Sequence, residues 1–397
     1  MQESVLNESS TCFIGEYSIP LFYVQLAARW IRTHINQERV LAGSGQYNAS
    51  NMWNLRMSND LDLLLELAPD FQTTEPKDKV FGLLGLILPF HKKTAAAMAE
   101  HSDGSPWFGI FKPDYDRSLK SIYMDAALYA LMTRKTLFVL RLAQVLVDPE
   151  CRSTASGSDW PSWVPRYDWV RDVNRGSPPW VRTLVPGAAD IMVADLGFEQ
   201  ATNTLSVRGV RLGSVVYTVE PMPVCSRDDD RPIRQYIRQA WSIVRKHVDC
   251  DEPQLLHRFA LALCAGSTHI RSDAHVSPDL VRSYMSFFRW CGLPTAVQTR
   301  PSEQTEFPQG DNYAEMFWQS LQRCCFNRSI FGLDDNTLNL GPPRISVDDV
   351  VMIPFGADVP FVIHPNSKVG TSGRLVGEAY VDSVMDVSDC INSQRPL

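Results

Sequence analysis

A chain of 397 residues is long enough for two domains, or three small ones, each with its own core. With 44% hydrophobic and 21% charged residues it has the usage of a globular protein rather than a disordered one. A net charge of −7 gives no electrostatic footprint for nucleic acid, and no apolar stretch is long enough to span a bilayer, since Arg141 interrupts the best one, Leu137 to Val147.

The first residues carry Glu3 and Glu8 and lack the basic and apolar blocks of a signal peptide. The cysteines number nine, an odd count without a C-x-x-C pair, and read as reduced, partly buried thiols. The expectation is a soluble, cytoplasmic protein with neither a nucleic-acid nor a membrane partner.

In chain order, Ser18 as cap and Pro20 in the first turn open a helix whose Leu21, Val24, Ala28, Ile31 and Ile35 form one apolar stripe. A second helix starts at Ser58, with Leu61, Leu64, Leu65 and Ala68 on one side. A short third runs from Pro76 to Leu84 and stops at Gly85. Ser118 begins a fourth with Ile122, Ala126, Tyr129 and Thr133 inward, and helical character continues from Thr136 to Val147. Residues 1–147 therefore read as a helical region. Across 148–201 Ser, Gly, Pro and Trp dominate, which predicts an extended connector and a domain boundary.

Residues 202–397 then read as a C-terminal α+β domain. Strands at Thr204–Val210 and Ser214–Val219 precede a helical insertion at about 230–325. Asp230 and Pro232 start its first helix, with Ile233, Ile237, Trp241, Val244 and Val248 inward. Further helices are expected at Leu255–Cys264, Pro278–Cys291 and Asp311–Cys325, the second capped by Ser277 and stopped by Gly292. Strands follow at 326–332, 348–355, 359–364 and 374–382. The predicted class is α+β: an N-terminal helical segment, then a small β-sheet or partial barrel interrupted by a helical insertion.

Each candidate for chemistry also has a scaffold role open to it. In Glu75-Pro76-Lys77-Asp78-Lys79 the charges cancel, so helix capping by Glu75 and Asp78 is favoured over an anion pocket. Trp160, Trp163, Trp169 and Trp180 offer an aromatic groove, but rings of that size more often pin a connector. His269 and His275 lack metal-ligand spacing, and neither a G-x-S-x-G elbow nor a glycine-rich phosphate loop occurs. Asp228-Asp229-Asp230 precedes a helix and reads as N-terminal charge stabilisation rather than a cation site. Glu378 and Asp382, four apart on one strand with Asp386 beyond, are the best paired carboxylates, and strand alternation explains them equally well. No catalytic, cofactor-binding or metal residue is assigned, and no cofactor is expected.

Ordered landmarks carry a family resemblance. They are Thr74 to Leu86 (TEPKDKVFGLLGL), Pro113-Asp114-Tyr115, Pro161-Ser162-Trp163-Val164-Pro165, Leu205 to Val210 (LSVRGV), and the closing pair Gly356 to Ile363 and Leu375 to Asp382. Gly341-Pro342-Pro343 and Asp348-Asp349-Val350-Val351 precede the last pair. In this order they resemble the region that follows the HET domain in fungal heterokaryon-incompatibility (HET) proteins. The first differs from the family's T-D-P-R-D-K-V-F-A-L-L-G-L stretch by Glu75, Lys77 and Gly82.

The family's opening Y-x-A-L-S-Y-x-W-G-like motif has no counterpart, and Gln25 with Trp30 does not reproduce the spacing of its R-x-W-x-x-Q-E-like helix. The resemblance therefore implies a truncated or diverged HET-family protein to which no effector or nucleotide-cleaving role passes. It implies a non-enzymatic part in heterokaryon incompatibility, nonself recognition and programmed cell death, with another HET-family or incompatibility protein as partner. The alternatives are an accessory protein or enzyme of a secondary-metabolite pathway, or an inert gene remnant.

Overall fold

The structure, a computed structural model, describes residues 10–34, 49–53, 61, 64–65, 73–84, 86, 113–134, 137–143, 160–168, 194–224, 230–266, 278–293, 312–367 and 372–382. The chain divides into two compact units, Met1–Ala143 with Val164–Val173, and Gln144–Trp163 with Asn174–Leu397.

The first described element of unit 1 is a hairpin the sequence reading did not anticipate: β1 (Thr11–Ile14) pairs antiparallel with β2 (Tyr17–Pro20). The two-residue connection Gly15-Glu16 has Gly15 at φ +60°, while Glu16 keeps a negative φ; this is the pattern of a II′ turn, whose twist suits the flanking strands. The expected helix is α1 (Leu21–His34), and it starts three residues past the expected cap. Ser18 and Pro20 lie in β2 because the turn places Ser18 opposite Phe13 and Pro20 opposite Thr11. The Leu21 amide donates to the Ser10 carbonyl (2.8 Å), tying the helix start to the hairpin base. Ala28 of the expected stripe is buried, Leu21, Val24 and Ile31 are half-buried, and Ile35 lies outside the described residues.

Leu61, Leu64 and Leu65 are buried, as are Val80, Phe81, Leu83 and Leu84 of the helical stretch 78–84; Ala68 and Gly85 lie outside the described residues. In α2 (Leu119–Arg134), Ile122, Ala126 and Tyr129 are buried, and the Ser118 hydroxyl accepts the Ser121 amide (3.2 Å) at the expected helix start. The helical continuation expected over Thr136 to Val147 takes the form of a 3₁₀ turn, Phe138–Ala143. It buries Val139, Leu140 and Arg141 in succession, which a one-sided α-helix does not do.

Unit 2 is α+β and carries a curled half-barrel. A two-stranded hairpin, β3 (Leu196–Glu199) with β4 (Thr204–Val207), precedes β5 (Gly209–Thr218). The two strands expected around Arg211-Leu212-Gly213 are thus partly one strand, bent where its register against β8 shifts between Arg211 and Gly213. The remaining strands are β6 (Ser329–Leu333), β7 (Leu338–Gly341), β8 (Val350–Pro354), β9 (Phe361–Pro365) and β10 (Gly373–Glu378).

The sheet is antiparallel in the order β10-β9-β8-β5-β6-β7. Its two ends meet at a bridge in which Leu340 and Tyr380 exchange amide–carbonyl hydrogen bonds (3.1 and 2.8 Å). Val215, Phe331, Leu333, Ile345, Val351 and Val362 fill the concave side. Approach is close here: a Cβ on Gly332 would collide with the Tyr217 ring.

Between β5 and β6 lies the predicted helical insertion: α3 (Arg231–His247), α4 (Glu252–Leu263), α5 (Pro278–Cys291) and α6 (Asn312–Cys324). Ile233, Ile237, Trp241, Val244 and Val248 are all buried, as their spacing requires. A net of rings, Trp241–Phe259–Phe288–Phe317–Phe287–Trp290, joins all four helices at centroid distances of 5.2–5.6 Å. His247 stacks on Tyr217 (4.4 Å) and the Arg258 guanidinium donates to the Asn336 carbonyl (2.6 Å), which fastens the insertion to the sheet.

Candidate functional site

Two regions hold side chains that a scaffold alone does not demand. The first is the hairpin and helix that open unit 1. Phe13, Ile14, Tyr17 and Ile19 of the hairpin are exposed, with Phe13 at 78% and Tyr17 at 82%, and so are Phe22, Tyr23, Leu26 and Trp30 of α1. Phe22, Leu26 and Trp30 recur every four residues, so α1 carries a second apolar stripe besides the one turned inward. Alternation places Cys12, Ile14, Tyr17 and Ile19 on one face of the hairpin and Phe13 with Ser18 on the other.

From Ser10 to Ile31 the only ionisable acid and base besides Cys and Tyr are Glu16 and Arg29. The Arg29 guanidinium lies 5.9 Å from the Trp53 ring centre, and Trp53 meets Phe22 at 5.1 Å. Beneath the exposed stripe Gln25 is fully buried, and among the described residues its amide oxygen and nitrogen have no hydrogen-bond partner. Single exposed apolar residues are ordinary; a run of this density is not.

The second region is the set of charges built into the half-barrel. Arg328, just before β6, reaches Glu378 at the end of β10: Nη2 donates to Oε1 (2.7 Å) and Nη1 to the Glu378 carbonyl (3.4 Å). Glu378 is 1% exposed, so this is a buried ion pair with matching hydrogen bonds. Just before β8, Asp349 accepts the Ser346 amide (2.8 Å) and a hydrogen bond from Nδ1 of His364 on β9 (2.6 Å). Burial raises the Asp349 pKa, while the Ser346 amide and His364 pull the other way.

A carboxylate orienting an exposed imidazole is the geometry that primes a general base. Catalysis also needs a nucleophile or substrate within reach, and among the described residues the imidazole is bonded to Asp349 alone. Burial pushes the thiols of Cys291 and Cys325 well up, which keeps them protonated and unreactive.

The residues singled out from sequence fall as follows. Glu378 and Asp382 do not form a carboxylate pair. Register shifts between Leu375 and Gly377, β10 ends at Glu378, and Asp382 instead accepts the Tyr380 hydroxyl (2.8 Å). Glu75 accepts the Lys77 amide (3.3 Å), a local cap. Asp78 does other work: its carboxylate accepts the Tyr115 hydroxyl (2.6 Å), and this bond raises the Tyr115 pKa. Lys77 Nζ donates to the Tyr115 carbonyl (2.5 Å) and the Phe81 and Tyr115 rings meet at 5.1 Å, so the charges join Thr74–Leu86 to Pro113-Asp114-Tyr115.

Trp163 packs on Phe198 (5.9 Å) and donates to the Asn203 carbonyl (2.9 Å), while the neighbouring Ser162 hydroxyl accepts the Leu375 amide (2.9 Å). This aromatic pins the connector to β3–β4. Asp230 is the N-cap of α3, without a side-chain cap bond. His269, His275, Asp228, Asp229, Asp386, Trp169 and Trp180 lie outside the described residues. Among the described residues no group of three His, Cys, Asp or Glu side chains is placed to hold a metal ion.

Arg328, Asp349 and His364 were not flagged by sequence reasoning. Their partners are 50 and 15 residues away, and no local spacing announces such pairs. The hairpin had a signal, the two-residue Gly15-Glu16 between β-forming runs, which the cap reading of Ser18 overrode. No protein-family model, curated protein or solved structure matches the chain. Among the described residues no helix is long and apolar enough to cross a membrane.

Proposed function

We propose that this chain is a diverged heterokaryon-incompatibility-type protein that acts by recognising another protein rather than by catalysis. The hairpin β1–β2 and helix α1 form the contact. The observation that carries this is the run of exposed apolar side chains from Phe13 to Trp30, nearly free of charge. The family assignment is supported by the ordered landmarks, and their contacts give them structural work. Within unit 1 Thr74–Leu86 holds Tyr115, and within unit 2 Trp163 and Ser162 hold the β3–β4 hairpin and β10.

The partner class is another incompatibility protein of the same fungal cell, in a nonself-recognition response that ends in programmed cell death. The test is co-expression with a full-length incompatible partner, scored for cell death and for co-precipitation. The intact chain is expected to alter the death response and to co-precipitate, and Tyr17→Ser with Trp30→Ser to abolish both. No association, or association indifferent to these substitutions, overturns the reading. The enzyme reading has one foothold, the Asp349–His364 pair. A turnover lost in His364→Gln, with the death response intact, would promote it.

A further inference from the structure

One row across the half-barrel holds three chemically matched side chains. Val350 of β8 pairs with Ile363 of β9, and one step further along the same register Asp349 faces His364. On the other side of β9, His364 faces Arg374 of β10. Residues directly opposite one another in a sheet point to the same face, with Cβ atoms about 5 Å apart. Carboxylate, imidazole and guanidinium therefore stand side by side. Their face is the concave one, because His364 follows Val362 by two residues and Val362 packs in the concave core.

Burial within the row is uneven. The Asp349 side chain is at 0% exposure and that of His364 at 57%, and Arg374 is exposed. A buried carboxylate that serves packing alone is paired as Glu378 is, with an Arg328 buried beside it. His364 instead keeps more than half of its ring in water. An ionised carboxylate can only accept, so the bond to Asp349 places the imidazole proton on Nδ1 and leaves the lone pair on Nε2. Burial raises the Asp349 pKa, which makes the carboxylate a stronger acceptor of that proton.

We propose that His364 is a phosphoryl-acceptor site, modified at Nε2, with Asp349 holding the ring and Arg374 receiving the phosphoryl oxygens. The donor class is a phosphoramidate. The Nε2 lone pair forms the new N–P bond while the donor's own P–N bond breaks. The electron pair of that bond leaves with the donor's protonated nitrogen, as ammonia. The Nδ1 proton stays in place, and Asp349 neutralises the imidazolium charge that the attack creates. A guanidinium fork matches phosphoryl oxygens, whereas a neutral acyl group has no use for it, and this favours phosphoryl over acyl transfer. The site lies in unit 2 and goes beyond the recognition reading without depending on it.

The experiment incubates the full chain with potassium phosphoramidate at neutral pH. Incorporation is followed by phosphorus NMR and by peptide mass mapping under alkaline conditions, where phosphohistidine survives. The internal control is His247, which is also exposed but has Nδ1 against the neutral Ile243 carbonyl (3.0 Å) rather than a carboxylate. His364 should be labelled about tenfold faster than His247 or more, a modest share of what a positioned acid–base group supplies. In the urea-unfolded chain, where the row no longer exists, the eight histidines should react alike.

His364→Gln should remove the label. Asp349→Asn should bring His364 down to the rate of His247, because an amide neither fixes the tautomer nor neutralises the imidazolium. Asp349 is buried, so circular dichroism checks the fold of that variant. Arg374→Gln, at an exposed position, gives a reading free of that concern. It should slow phosphorylation of His364 and leave its reaction with diethyl pyrocarbonate unchanged, since that uncharged acylating agent needs no guanidinium. Labelling of His364 no faster than of His247, or labelling indifferent to Asp349→Asn and Arg374→Gln, overturns the proposal. A labelled His364 on a chain that captures no partner keeps the site and sinks the proposed function, and the reverse result sinks the site alone.

Discussion

The hairpin β1–β2 and the pair β6–β7 are both short antiparallel ribbons, and they are opposites in burial. Every residue of β6 and β7 is buried, whereas β2 is exposed at all four positions and β1 is half-buried only at Cys12. β6–β7 forms one end of the six-stranded sheet, with Tyr217 of β5 lying against Gly332 and α4 packing on β7. The first ribbon has side chains suited to the same treatment and nothing among the described residues that supplies it. Similar local chemistry therefore serves burial in one place and is left exposed to solvent in the other.

The sharpest test of that contrast is to damage each region and read stability. Removing one partner of the Arg328–Glu378 pair strands a buried charge, so Glu378→Ala should cost about 3–5 kcal/mol in urea unfolding. Arg328→Met with Glu378→Leu should recover most of it, since well-packed apolar replacements of a buried pair are often neutral. Tyr17→Ser should change stability by less than about 0.5 kcal/mol despite removing a large aromatic, because that ring is already in water. A loss at Tyr17 comparable to that at Glu378 would break the comparison by showing that the hairpin is part of a core.

How much of this could be read beforehand follows the same division. α3 was legible because one-sided burial writes a 3.6-residue period, and Ile233 through Val248 obey it. β7 was not, because Leu338-Asn339-Leu340-Gly341 is buried on both faces and has no alternation to detect. β10 was found but misread past Glu378, since a register shift at Leu375 breaks the period-two argument that put Glu378 and Asp382 on one face. The charges of the half-barrel pair across the sheet, and sequence spacing holds no information on such contacts. The exposed aromatics were visible as residues but not as a surface, because a hairpin edge and its burial are tertiary facts.

A middle-sized effect is expected where two segments of unit 1 are latched. Reading Asp78 as a cap predicts that Tyr115 is indifferent to its loss; the Tyr115–Asp78 hydrogen bond predicts coupling. Tyr115→Phe and Asp78→Ala should each cost about 1 kcal/mol, and the double variant little more than either. Strict additivity would return Asp78 to the capping role. It would also leave Lys77, through its bond to the Tyr115 carbonyl, as the main polar link between the segments.

The smallest effect concerns pH and distinguishes buried charge from exposed aromatics most directly. Burial is the largest influence on Asp349 and raises its pKa, and the same is true of Asp125, where Arg117 opposes it. A carboxyl raised in the folded state binds its proton more tightly there than in the unfolded chain. Its contribution to stability is therefore full below the unfolded value of ~3.9 and declines as pH rises through the folded one. This is the reverse of an acid held ionised by a salt bridge.

Asp349→Asn cannot titrate, so acidification from pH 7 to pH 4 should shift the urea midpoint of the wild type relative to this variant in the wild type's favour. Asp125→Asn should behave in the same sense in unit 1. The opposite drift at Asp349 would mean that the bonds from Ser346 and His364 outweigh burial. The Asp349–His364 pair would then be an ionised one, and the half-barrel would hold a charge ready for chemistry rather than for packing.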